Sequence, residues 1–196
     1  MNNQYPTTLG EPEPLFPMRW GKTAILQKFT NPKGKGDTDF ILFHSPLICQ
    51  VVLPVTDDGR VIAINQFKHG IAAYRKQHRK SPCIKALPAG GAGKNEKWIT
   101  AAKRELFEET GYVPQQMFRL ADRIWNDPAS STLYSIPWLA SRCRLGKGHT
   151  PDTDEFLEIK LITVTDWFQL IYTGAVVDTR SIAVSLMATP LLRKMG

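Results

Sequence analysis

Residues 87–112 read LPAGGAGKNEKWITAAKRELFEETGY, and the fold turns on them. The first half is turn chemistry. Pro88 blocks a ladder hydrogen bond, and Gly90-Gly91 lets the backbone bend tightly and approach a ligand closely. The second half predicts a helix over 95–110, capped by Asn95 and ended by Gly111 in the left-handed conformation. Glu105, Glu108 and Glu109 stand at i, i+3 and i+4, so one helical face carries three carboxylates. Like charges so placed repel by roughly 0.2–0.5 kcal/mol per pair on an exposed helix, and a cation would relieve this. Hard divalent ions such as magnesium take oxygen ligands of this kind. Arg104, beside Glu105 and four residues before Glu108, is placed to brace the cluster. Trp98, Ala102 and Leu106 fall on the other face and can pack on a sheet. A solvated acidic face is the alternative that the glutamates alone leave open.

Outward from this segment, apolar runs alternate with turns. Cys49–Val55 reads as a buried strand, Asp57-Asp58-Gly59 as a turn, and Arg60–Phe67 as the returning arm. Ile84–Leu87 is a short strand. Further strands are expected near 118–125, 132–140 and 156–164, with helices over 165–173 and 179–193. Pro190 should kink or shorten the last one. Residues 20–45 read as short strands around the turn NPKGKGD, and 1–18 as a disordered or loosely docked tail. The expected organisation is an N-terminal segment, 1–45, followed by one domain, 46–196. The expected class is α/β of the α+β type, a sandwich of helices on a mixed central sheet.

Composition bounds the rest. The 196 residues are 42% hydrophobic and 22% charged, with a net charge of +7. Such a chain builds a core without staples. The excess charge fits anionic partners or a solubilising surface. Cys49, Cys83 and Cys143 are scattered and form no CxxC pair, which argues against a zinc site or disulfide framework. With no signal-peptide core and no long apolar run, a cytoplasmic protein that does not enter a membrane is expected. The four histidines show no metal-ligand spacing. Trp125, Trp138 and Trp167 are expected in the core, while Trp20 and Phe29 are weak candidates for stacking on a base.

Gly90, Glu96, Arg104, Glu105, Glu108, Glu109 and Gly111, with Leu106 and Tyr112 in apolar slots, resemble the Nudix box in full. Seven fixed identities at fixed spacing arise by chance at ~10⁻⁸ per start. The stretch around LPAGG, and Pro128 sixteen residues past Tyr112, are similar to the ADP-ribose pyrophosphatase branch of that family. The resemblance covers about residues 45–192.

It implies a Nudix-like α/β/α sandwich and a magnesium-dependent hydrolase, with manganese as a substitute. The substrate would be a small-molecule nucleoside diphosphate derivative, ADP-ribose or an ADP-sugar, cut to AMP and a sugar phosphate. Metal ligands would be the carbonyl of Ala89, Glu105 and Glu109, with Glu108 a ligand or a support. Catalysis would involve Arg104, Glu108 and, as base, Glu155, with Asp154 and Glu158 as rivals. Substrate would meet Lys68, Gly90, Gly91 and Pro128. A homodimer, with N-terminal strands exchanged between subunits, is expected, and nucleic acid is not an expected partner. The chain departs from the branch at Ala86, where a glutamate is usual, and at Lys68, where arginine is usual. Other Nudix substrates (nucleoside triphosphates, dinucleotides, capped RNA) and a non-catalytic ADP-ribose sensor are the alternatives. The basic stretch Arg75, Lys76, His78, Arg79, Lys80 and Lys85 reads either as an anion-recruiting lip or as a solvated loop.

Overall fold

A computed structural model describes residues 5–31, 33–34, 36–75, 81–149 and 157–195, without the side chains of 20, 74 and 75. Two compact units emerge: residues 1–48 with 125–134, and residues 49–124 with 135–196.

The first unit is an antiparallel sheet in the order β1-β2-β3, from Thr8–Pro17, Thr23–Phe29 and Thr38–His44. The tail expected to be loose is therefore a strand from Thr8 onward. Pro12, Pro14 and Pro17 obscured it, because proline removes ladder donors. They are tolerated because β1 is an edge strand whose register slips between Leu9 and Glu13 and between Pro14 and Phe16. β2 and β3 form the expected hairpin around 31–37, paired from Thr23↔His44 to Phe29↔Thr38. Ala24, Ile25 and Gln27 are buried, and Phe29 meets Phe40 edge-on at 5.7 Å. Phe43 donates its N–H to the Ser130 carbonyl at 2.9 Å and accepts from Thr132 at 2.9 Å, which ties the 125–134 segment to this unit.

The second unit begins with the hairpin of β4 (Cys49–Thr56) and β5 (Arg60–Phe67), turned at Gly59 with φ +75°. A helix, α1, at His69–Arg75, leads into the basic stretch that reads as a lip or a loop. Lys76, His78, Arg79 and Lys80 of the basic stretch lie outside the described residues, as does the side chain of Arg75. Then come β6 (Cys83–Ala86), β7 (Ala89–Gly91), helix α2 (Trp98–Thr110) and β8 (Tyr112–Val113). The strand expected near 118–125 is two short ones, β9 (Gln116–Arg119) and β10 (Ile124–Trp125). The chain closes with β11 (Tyr134–Leu145), β12 (Leu157–Thr163), α3 (Val164–Tyr172) and α4 (Thr179–Met195). α4 runs on past Pro190 and is not shortened there. The carbonyl that loses its donor belongs to Leu186, an exposed residue where water can replace the bond.

Among the described residues the sheet is mixed, with nine strands around the path β10-β11-β4-β5-β12. β11 runs parallel to β4, whereas β5 pairs antiparallel with β12. Strand β4 is buried along almost its whole length because helices meet it from α2 and from α4. Side chains alternate across a strand, so β4 sorts its residues between two layers. Val51, Leu53 and Val55 join Leu139, Trp167, Val184 and Ala188 in one core. Gln50, on the alternate register, accepts the indole N–H of Trp138 at 2.9 Å. Trp138 and Trp167 are buried as expected, but Trp125 is half exposed and stacks edge-on with Tyr134. Trp167 donates to Ser185 Oγ at 2.8 Å. Among the described residues every buried side-chain nitrogen and oxygen has a partner.

Candidate active site

Helix α2 starts at Trp98, three residues later than Asn95. Asn95 has φ +65°, which puts it in a left-handed turn and rules it out as an N-cap, a position that wants extended backbone. Glu96 does the tying instead: its carboxylate accepts the Gly93 N–H at 2.8 Å. At the other end Gly111 has φ +74° and donates its N–H to the Phe107 carbonyl at 2.7 Å. A Cβ there would also press within 3.0 Å of the His149 ring, whose Nε2 meets the Glu108 carbonyl at 3.0 Å. Ala101, Ala102 and Leu106 bury one side of the helix against β4 and β7. Burying a leucine this completely is worth about 1.5–3 kcal/mol.

Arg104 organises the other side. Its Nε and Nη2 form a two-point contact with Glu96 at 3.0 Å each, and Nη2 also reaches the Gly91 carbonyl at 2.9 Å. Its Nη1 meets Glu105 Oε1 at 2.8 Å and Glu108 Oε2 at 2.7 Å. One planar guanidinium thus joins the turn, the β7 strand and two of the three helix carboxylates. The Arg104 guanidinium beside Glu96 holds that carboxyl below its ordinary range, and these contacts keep Arg104 charged at any pH of interest.

The three glutamates differ in exposure. Glu109 is only 5% exposed, and the Glu105 and Glu108 side chains are 15% and 52% exposed. Glu109 Oε2 accepts the Ala89 N–H at 2.9 Å. β7 is held to β4 in the register Cys49↔Gly91, Gln50↔Gly90 and Val51↔Ala89. Gly90 is required by contact: a Cβ there would fall 2.0 Å from Glu105 Oε2. Ala89, Gly90, Gly91, Glu105 and Glu109 are therefore brought together, with Glu108 at their open edge on Arg104.

Among the described residues no three His, Cys, Asp or Glu side chains converge as a ready metal cage. Magnesium does not need one. It keeps several waters and takes one or two carboxylates together with substrate phosphates. Two largely buried carboxylates beside a glycine strand, with all-oxygen donors, fit that ion.

Lys68 lies near Glu109, and burial, followed by the charge of Arg180, lowers its pKa. Its Nζ donates to Gln66 Oε1. Arg180 was missed in the sequence. It comes from α4, 131 residues from Cys49, yet its Nη1 lies 3.5 Å from the Cys49 sulfur and its Nη2 3.6 Å from Asp178. The first turn of α4 is tied to the 87–91 segment. Asp178 accepts from Ser181 Oγ at 2.6 Å, and Ser181 Oγ accepts the Leu87 N–H at 2.9 Å. No local spacing rule announces such a contact.

Pro128 opens an exposed turn in the other unit. Glu155 and Asp154 fall outside the described residues. Glu158 is on β12 and pairs with Lys160.

The NUDIX domain family model matches residues 49–181. The ADP-ribose pyrophosphatase of Bacillus subtilis (strain 168) is 30% identical over 151 residues, covering 76% of this chain and 75% of that protein. The methanol dehydrogenase activator of Bacillus methanolicus is 25% identical over 151 residues, covering 77% and 76%. A crystal structure of an ADP compounds hydrolase superposes with a TM-score of 0.75 over 98% of this chain and 97% of that one, at 17% identity. That likeness concerns the fold. The chain belongs to the NUDIX family and is a Nudix pyrophosphohydrolase.

Proposed function

We propose that this enzyme hydrolyses ADP-ribose or an ADP-sugar to AMP and a sugar phosphate in a magnesium-dependent reaction, with manganese able to substitute. The observation that carries the reading is the pairing of two largely buried carboxylates, Glu105 and Glu109, with the glycine strand Ala89–Gly91. The Bacillus subtilis relative supplies the substrate class.

Glu105, Glu109 and the Ala89 carbonyl would hold the metal, which would supply positive charge to the diphosphate. Arg104 fixes Glu105 and keeps Glu108 at the edge of the site as a supporting carboxylate. Gly90 and Gly91 let the diphosphate approach the backbone. Lys68 offers a cation to the phosphates, and Pro128 contributes to substrate binding. Glu155 takes the proton from the attacking water, because the buried carboxylates are committed to the metal. In-line displacement then needs mainly positioning and charge stabilisation.

Support for a homodimer comes from the first unit, where Phe16, Phe40, Ile41 and Phe43 are 44–59% exposed. Three free cysteines support a cytoplasmic setting. Among the described residues no helix is long and apolar enough to cross a membrane.

The deciding experiment measures AMP release from a panel of ADP-linked compounds and nucleoside triphosphates, with magnesium and with chelator. ADP-ribose or an ADP-sugar should lead in kcat/KM. A triphosphate leading by tenfold would overturn the substrate class, and full activity in chelator would overturn the metal assignment.

A further inference from the structure

A second concavity lies away from the Nudix box. On β4, Cys49–Val51 pair with the glycine strand, while Val55, about 13 Å beyond Val51 at about 3.3 Å per residue, and Thr56 line a cavity of about 820 Å³. That volume lies in the range of small-molecule sites. Its floor is apolar, from Val55, Val164 and Leu192. Among the described residues its rim carries Arg142, Arg144 and Lys194 against one carboxylate, Asp57, so two positive charges are in excess there. Asp57 takes Arg144 by its Nε at 2.6 Å, which fixes that guanidinium at the rim. Ser141, Gln116 and Thr56 add neutral polar groups.

A separate feature of the backbone falls at the same place. Arg142 has φ +52°, in the left-handed region that a residue with a Cβ avoids, and it sits where the β11–β4 register slips between Ala140 and Cys143. A bulge of this kind re-aims a side chain, and such strain persists only where the surroundings enforce it. Here the re-aimed side chain is a cation on the cavity wall.

We propose that this cavity is a binding site for a phosphomonoester with a small apolar or aromatic body, distinct from the pyrophosphatase centre. The doubly charged phosphate balances the two excess cations, and the body rests on the Val55, Val164 and Leu192 floor. Nothing in the proposal depends on which substrate the catalytic site takes.

The test titrates the full chain with phenyl phosphate and with inorganic phosphate, by calorimetry and amide NMR. Wild type should bind phenyl phosphate more tightly than inorganic phosphate, and Glu109→Gln should match wild type for each ligand, with shifts at Gly59, Gln116 and Ser141. Arg142→Gly and Lys194→Ala should each weaken phenyl phosphate at least tenfold. Arg142→Gly relieves the positive φ, so lost affinity with an unchanged or raised Tm cannot be misfolding. The site is disproved by wild-type affinity in either variant, by shifts confined to Gly90 and Gly91, by weakening in Glu109→Gln, or by no saturable binding. Phenyl phosphate binding no tighter than inorganic phosphate removes the apolar half of the proposal.

Discussion

The Glu109 carboxylate accepts the backbone N–H of Ala89 at 2.9 Å, so the most buried acid of the box also locks helix α2 to the glycine strand. Glu109→Gln keeps an acceptor for Ala89 and removes the charge. Turnover should fall at least about 10³-fold while stability stays within about 1 kcal/mol. Steady-state kinetics with a thermal melt checks both. Near-normal turnover would remove Glu109 from the metal set.

Gly90→Ala should separate activity from stability. The new Cβ would sit 2.0–2.4 Å from the Glu105 carboxylate group, the far end of a flexible side chain. The carboxylate can swing away at little cost to folding, but it leaves its place beside Glu109. Activity should drop by at least about 10²-fold with a Tm within a few degrees of wild type. Retained activity would mean that the position of Glu105 is unimportant.

Arg104→Lys replaces a planar fork with a point charge and cannot join Glu96, Glu105, Glu108 and the Gly91 carbonyl at once. kcat should fall more than tenfold while the charge count is unchanged. The Glu96 contact also sets a pH limit. Its folded pKa is depressed by Arg104, so its contribution is complete above the ordinary glutamate range, about 4.3, and is lost as pH falls through the lower folded value. Acid unfolding of wild type should therefore steepen below about pH 4. Glu96→Gln should flatten that limb.

Arg180→Ala tests the missed cation. If Arg180 and Lys68 meet the substrate phosphates together, KM should rise about tenfold with kcat little changed, and Arg180→Lys should restore part of it. A Tm loss without any KM change would make Arg180 a purely structural anchor between Cys49 and Asp178.

Light scattering at micromolar concentration should report a dimer. Ile41→Glu with Phe43→Glu, two exposed residues on one face of β3, should give monomer. A monomeric wild type ends the dimer proposal.

The sequence by itself determined the elements whose signals are local. The β4–β5 hairpin is written in continuous β-branched apolar runs around Asp57-Asp58-Gly59, the end of α2 in Gly111, and the carboxylate face in the spacing of Glu105, Glu108 and Glu109. Helix periodicity and left-handed glycine are short-range rules, so they can be read from neighbours in the chain. Tertiary structure decided what depends on partners far along it. The proline-rich β1 is a strand only because β2 offers it an edge, and α4 runs past Pro190 at an exposed carbonyl. The turn at Asn95 moved the helix start because Glu96 is held by Arg104 eight residues on. Arg180 reached Cys49, and the cationic cavity formed from β4, β11 and α4, through packing across more than a hundred residues. A contact between distant segments is set by the summed burial of a whole core, and no local pattern of residue types encodes it.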